Sequence, residues 1–221
     1  MQLVENFYCY LWDGYENNCN SYFIRDEISV LIDPGHARFT EHLVAQMAAD
    51  GWRPEDVDLI INTHAHLDHC EGNGRFLHED TVIAAIHPAD EQYYYREGAQ
   101  LLRALGQDLP PLLLGGYLQD EVRLGQTTLQ IIPTPGHTPG SVCLYWPAGK
   151  VLIAGDTLFD RAIGRTDLPG GNARQLRESL ERLAALDIEY ILPGHNTVIQ
   201  GKERVQENFA LIQRLFFPLL G

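Results

Sequence analysis

Apolar residues along this chain come in short runs cut by Gly, Pro, Asn and Asp, and the cuts predict alternating strands and helices. Residues 3–11 and 21–25 read as two strands, with Asp13-Gly14 and Asn17-Asn18 marking the turn between them. A third strand, 28–32, is stopped by Asp33-Pro34-Gly35. Residues 41–49 have helical character, with Thr40 as N-cap and Gly51 closing the helix. Strands 57–62 and 82–86 follow, then four short ones at 121–124, 128–132, 142–146 and 151–154, and a last at 190–192. Asn172 caps a helix expected to reach Leu186, with Leu176, Leu180 and Leu183 on one stripe. Val205, Phe209, Ile212 and Phe216 stripe a C-terminal helix. Helices dispersed through both halves imply an α+β sandwich, two sheets packed face to face and covered by helices.

Residues 88–120 break this rhythm. They are helix-like, aromatic at Tyr93-Tyr94-Tyr95, and rich in Leu, Pro and Gly from Leu109 to Gly116. Two readings stand side by side: a lid or pocket wall, and an ordinary helical connection. The apolar patch from Leu112 to Leu118 serves as pocket or interface, and the oligomeric state is open.

The 221 residues suffice for one large domain spanning 1–221, with 88–120 as a helical, lid-like insertion. A formal net charge of −14 disfavours nucleic acid and anionic membranes as partners. No apolar stretch has the length of a membrane span, and the N-terminus lacks the basic and apolar regions of a signal peptide, so the expected location is cytoplasmic. Cys9, Cys19, Cys70 and Cys143 show no C-x-x-C spacing and read as free and buried, with Cys70 beside His69 the one ambiguous case.

The candidate chemistry lies just past the strands. Residues 63–69 carry an H-x-H-x-D-H motif (His64, His66, Asp68, His69), and His137, Asp156 and His195 each follow a strand-like run inside a Gly-containing turn. Burying three histidines and an aspartate within six residues is costly unless a metal occupies them. In an extended H-x-H the alternate residues project to one side, so His64 and His66 converge on one ion. Asp68 and His69, past the turn, aim at a second, and Asp156 is placed to bridge. Imidazole and carboxylate suit Zn and Fe, with Mn also compatible, and seven such ligands suffice for two divalent ions. A shared water would then supply hydroxide near neutral pH. His36, His42, His78 and His87 read as surface or satisfied core histidines.

These motifs resemble the metallo-β-lactamase superfamily across nearly the whole chain. The resemblance rests on Leu31-Ile32-Asp33-Pro34-Gly35, on Thr134-Pro135-Gly136-His137-Thr138-Pro139-Gly140-Ser141, on Gly155-Asp156-Thr157-Leu158-Phe159 and on Leu192-Pro193-Gly194-His195. It implies an αββα fold with metals at the open edge of the sandwich. It places His64, His66 and His137 on one ion, Asp68, His69 and His195 on the other, and Asp156 between them. Gly164-Arg165-Thr166-Asp167 looks like a segment of glyoxalase II-like hydrolases and of persulfide dioxygenases. The Lys-aromatic-aromatic sequence that holds glutathione in typical glyoxalase II is missing. With 221 − 195 = 26 residues after His195, the C-terminal helical domain is expected to be absent or reduced to one helix.

The leading expectation is therefore a dinuclear metallohydrolase that cleaves the thioester of a small thiol, hydroxyacylglutathione hydrolase-like. A bridging hydroxide positioned by Asp68 and Asp156 is the nucleophile. Arg165, Tyr145 and Asn196 are candidate substrate contacts, Arg165 alternatively pairing with Asp160 or Asp167. Lys202 and Arg204 read as ordinary surface charge. The alternatives are a mononuclear iron persulfide dioxygenase, a lactonase, and a metal-binding module without turnover, with a nuclease disfavoured by charge.

Overall fold

The computed structural model describes residues 2–78 and 82–220. Its first sheet contains β1 (Gln2–Val4), β2 (Phe7–Tyr10), β3 (Ser21–Ile24), β4 (Val30–Ile32), β5 (Leu59–Ile61), β6 (Ile83–Ile86) and β7 (Gly116–Tyr117), side by side in chain order. Between them run α1 (Thr40–Ala49), α2 (Leu67–Cys70), α3 (Pro88–Tyr93) and α4 (Ala99–Ala104). The second sheet uses β8 (Glu121–Arg123), β9 (Thr128–Pro133), β10 (Val142–Trp146) and β11 (Val151–Gly155). A small hairpin, β12 (Leu158–Phe159) with β13 (Ala162–Ile163), stands apart. After α5 (Ala173–Leu183), β14 (Tyr190–Pro193) and β15 (Ile199–Gln200) complete the second sheet in the order β15-β14-β11-β10-β9-β8, and α6 (Lys202–Leu215) follows.

Both sheets are buried on two faces, so their strands read as continuous apolar runs rather than as alternating ones. The period of two is still present, because each strand splits its side chains between two cores. Val30 and Ile32 point into the space between the sheets, while Leu31 points outward beneath α1. Leu144 points inward, and its neighbours Cys143 and Tyr145 point outward under α5 and α6. Helix, sheet, sheet and helix thus form four layers, the two helix-covered sheets that the patterning predicts and the αββα fold that the family resemblance implies.

Several details differ from expectation. The run 3–11 is a hairpin, since Asn6 adopts φ 64° and Val4 pairs with Phe7. Asparagine tolerates that left-handed conformation. Thr40 is the first residue of α1 rather than its cap, and its hydroxyl donates to the Ala37 carbonyl at 2.9 Å. The helix capped by Asn172 ends at Leu183. Segment 88–120 contributes β7, parallel to β6, and so extends the first sheet. Leu112 and Leu118 are buried in the core, and Leu113 is exposed. The two-residue strands β12, β13 and β15 are too short for any periodicity to reveal. All four cysteines are buried and outside any disulfide, Cys70 among apolar residues. No helix among the described residues is long and apolar enough to cross a membrane.

The parallel pairs β4–β5, β5–β6 and β11–β14 matter most for function. Parallel strands require crossover connections, and they gather the chain's turns at their carboxyl ends, where ligands bind in open α/β sheets. Asp33 follows β4, His64 follows β5, Asp156 follows β11, and Gly194-His195 follows β14. β9 runs in the same direction as β11 and leads into His137.

Candidate metal centre

All seven residues of the predicted set meet at one end of the sandwich. Their ligand atoms form three overlapping groups: His64, His66 and His137; His64, His69 and Asp156; and Asp68, His69 and His195. His66 Nδ1 lies 3.0 Å from both His64 Nε2 and His137 Nε2. Asp156 reaches both sides of the cluster. Its Oδ2 is 3.5 Å from His137 Nε2 and 3.4 Å from His195 Nε2, and its Oδ1 is 3.3 Å from His69 Nε2. His195 Nε2 is also 3.3 Å from Asp68 Oδ2.

Local backbone explains the convergence. His66 is extended (φ −75°, ψ 147°), which keeps it in alternation with His64, and the single turn α2 then swings Asp68 and His69 to the far side. Gly194 makes room: a Cβ there would stand 2.2 Å from Asp156 Oδ1 and 2.8 Å from His69 Cε1.

Four of the five imidazoles, those of His64, His66, His137 and His69, are fixed by a bond to the other nitrogen. His64 Nδ1 meets Thr63 Oγ1 at 3.1 Å, His66 Nε2 meets Tyr93 Oη at 2.9 Å, His137 Nδ1 meets the Arg165 carbonyl at 2.8 Å, and His69 Nδ1 meets Asp33 Oδ2 at 2.9 Å. Such partners set ring orientation and tautomer, and they raise ligand basicity. Asp33 also accepts from Thr63 N at 2.8 Å and Thr63 Oγ1 at 2.7 Å, tying the β4 turn to the β5 turn. Asn17 donates to Asp68 Oδ2 at 2.7 Å.

Burial, then the neighbouring imidazoles, hold His64 well below its usual range and His66 down at about 3, so both are neutral with lone pairs available. Burial also works against charge on His69, yet Asp156 and Asp33 raise it well above normal. His195 likewise rises to about 9, because hydrogen bonds to Asp156 and Asp68 outweigh burial. Burial would lift Asp156 and Asp68; His69 and His195 hold Asp156 well below the ordinary carboxylate range, and His195 chiefly does so for Asp68. Asp156 Oδ1 is nonetheless buried without a hydrogen-bond partner. An orphaned carboxylate oxygen amid converging imidazole nitrogens is the environment a divalent cation satisfies, and the donor set suits Zn, Fe or Mn.

The cluster forms the floor of a cavity of about 570 Å³. Asn196 lines it, at φ 67°. Arg165 stands at its mouth with its guanidinium held bidentately by Asp167, at 2.9 and 2.8 Å. Tyr145 does not belong to this site. The alternation of β10 turns it to the outer face under α5, where its hydroxyl donates to the Asp187 carbonyl at 2.8 Å. Lys202 also pairs with Asp187, at 2.8 Å on the surface. His42 and His78 are satisfied outside the cluster and His87 caps α3, while His36 bonds Glu71 on the cavity rim.

Three supporting residues escape reasoning from motifs alone. Asp33 was visible only as a turn residue. Tyr93 lay in an aromatic run with nothing to pair it with His66. Asp90 is buried and accepts from Ala65 N at 2.6 Å, Thr138 Oγ1 at 3.0 Å and Gly140 N at 2.6 Å, so it clasps the loops that carry His64–His69 and His137. Burial pushes its pKa up to about 6.

Comparison with known proteins agrees with this geometry. The family model described as metallo-beta-lactamase superfamily matches residues 14–195. A probable metallo-hydrolase of Methanocaldococcus jannaschii, MJ0888, is 35% identical over 193 residues, covering 84% of this chain and 91% of that protein. A hydroxyacylglutathione hydrolase of Brucella ovis is 36% identical over 169 residues, which cover 76% of this chain but only 56% of that protein. The crystal structure of TTHA1623 in a di-iron-bound form superposes with a TM-score of 0.72 at 32% identity, over 94% of this chain and 97% of that one.

Proposed function

The chain belongs to the metallo-beta-lactamase superfamily, and from that premise we propose that it is a dinuclear metallohydrolase cleaving the thioester of a small thiol. The observation that carries this reading is Asp156. Its Oδ2 lies between His137 on one side and His195 on the other, and its Oδ1, beside His69 Nε2 at 3.3 Å, is buried without a hydrogen bond. His64, His66 and His137 would hold one divalent ion, and Asp68, His69 and His195 the other, with Asp156 shared. Bound divalent ions lower the pKa of a coordinated water toward neutrality and polarise a carbonyl. The similarity to hydroxyacylglutathione hydrolases supports the thioester as substrate, and the di-iron state of TTHA1623 supports two ions.

The chain's own groups supply position. Asp68 and Asp156 orient the attacking water toward the open cavity and take up its hydrogen bonds. The outer partners Thr63, Tyr93, Asp33 and the Arg165 carbonyl keep four imidazoles from rotating. Asn196, on the cavity lining, is placed to contact substrate. Tyr93 and Tyr94, buried in the segment that begins at α3, form a wall that keeps water from the far side of the cavity. The lid-like insertion at 88–120 supplies this wall within a single domain spanning 1–221, its end running into β7.

Elemental analysis of protein purified without added metal, followed by a thioester screen, tests this. Two equivalents of zinc, iron or a mixture, with thioester turnover, is the expected result. A single iron with oxygen uptake on a persulfide would replace the reading with a dioxygenase, and failure to bind any metal would end it.

A further inference from the structure

Four leucines line the cavity without taking part in the packing of the fold. Leu101 and Leu102 of α4 are half-buried, Leu105 just beyond it is 64% exposed, and Leu168 is half-buried in the same lining. None of the four belongs to any of the hydrophobic clusters that hold the sheets and helices together. A π turn over Tyr94–Gly98 adds a residue to the helix between Tyr93 and α4. Tyr93, Tyr94 and the leucines of α4 therefore all line the same cavity. At about 570 Å³ the cavity falls within the roughly 300–1,000 Å³ of small-molecule sites.

Charge on the lining is equally informative. Among the described residues, Arg165 is the one Lys or Arg there, and Asp167 already occupies its guanidinium. The whole chain carries a formal charge of −14. A thiol carrier bearing several carboxylates or phosphates would find no free cation at this mouth and would enter against the field of the protein.

Resting on the thioester-hydrolase reading above, we infer that the substrate is the thioester of an apolar, medium-length acyl group on an uncharged thiol. The acyl chain lies along Leu101, Leu102 and Leu105, with its carbonyl beside Asp156. In the reaction the water oxygen bonds to the acyl carbon and the carbon–sulfur bond breaks with its electron pair on sulfur. One water proton passes to the thiolate and the other leaves to solvent from the carboxylic acid. Products are an apolar carboxylate and a neutral thiol.

The test is a series of N-acetylcysteamine thioesters, from acetyl to decanoyl, on the metal-loaded full chain, alongside glutathione thioesters of the same acyl groups. Octanoate and acetate binding, measured by calorimetry, gives a readout that needs no turnover. We expect kcat/KM to rise about fourfold per added methylene until the wall is covered, the glutathione series to run at least tenfold lower, and octanoate to bind where acetate does not. Leu105→Asp, at an exposed position that tolerates charge, and Leu102→Ser should flatten the series, and Leu102→Met should restore it. Turnover without length dependence, together with equal binding of the two carboxylates, would overturn the inference and leave the hydrolase reading intact. Octanoate binding without any thioester turnover would do the reverse, sinking the hydrolase reading while sustaining the apolar subsite. A change of oligomeric state on Leu105→Asp with an unaltered series would mark the wall as an interface between copies and overturn the inference.

Discussion

Around His64, His66 and His137 the outward nitrogens rest on a hydroxyl, a phenol and a carbonyl, whereas His69 and His195 are surrounded by the carboxylates of Asp33, Asp68 and Asp156. In the first set, burial and neighbouring imidazoles push His64 and His66 far below their usual pKa, so these two stay neutral. The second set concentrates negative charge and draws protons onto its imidazoles. One cluster therefore offers a cation two different environments. The carboxylate half attracts a divalent ion more strongly, but it also makes protons the stronger competitors for the same nitrogens.

The largest test removes what joins the halves. Asp156→Ala should cost several kcal/mol of transition-state stabilisation, about 10³-fold in kcat/KM, and should reduce metal content below two per chain by elemental analysis. Next, Asp33→Asn acts directly on His69 in the carboxylate half and reaches His64 only through Thr63. A metal titration should then show one of two binding steps weakened by about 10- to 100-fold and the other by much less; equal weakening of both would dissolve the distinction drawn here. Tyr93→Phe is the counterpart on the neutral half, with an expected loss of about tenfold in the other step and no change in fold by circular dichroism. The mildest effect is on pH. Hydrogen bonds to Asp156 and Asp68 lift His195 from 6.5 to about 9 against the pull of burial. A raised histidine stabilises the fold fully below its unfolded pKa and loses that contribution as pH climbs through the folded one. The Tm of metal-free protein should therefore fall by roughly 5 °C between pH 6.5 and 9. The metal-loaded protein, whose imidazoles give up their protons to coordination, should show a flat profile over that window.

The seven converging residues were readable from the chain, because each lies beside a strand-ending run and carries a residue type with few other reasons to be buried together, while their division into two halves was implied by the family resemblance. The layered sandwich was readable too, from the order of the elements and the helices dispersed through both halves. What escaped depends on pairings across the fold. Asp90 joins residues 25 and 50 positions away in sequence, and nothing local distinguishes it from a first-turn acid of α3. Tyr93 looked like one aromatic among three. Tyr145 was misplaced for a simple reason: in a strand buried on both sides, alternation does not tell which face looks toward the site. β7 was missed because two residues at a sheet edge carry no period at all.

The centre is assembled by halves of the chain that fold as different sheets. His64, His66, Asp68 and His69 come from the first, and His137, Asp156 and His195 from the second. Neither sheet alone brings together the His64, His66 and His137 group or the Asp68, His69 and His195 group, and Asp33 and Asp156, both beside His69, lie 123 positions apart (156 − 33). A growing chain released as far as residue 120 thus carries a cluster of histidines with no finished place to keep a metal. Only docking of the second sheet closes that long loop, so metal uptake at this cluster would act as a checkpoint on assembly, reached when both sheets are home.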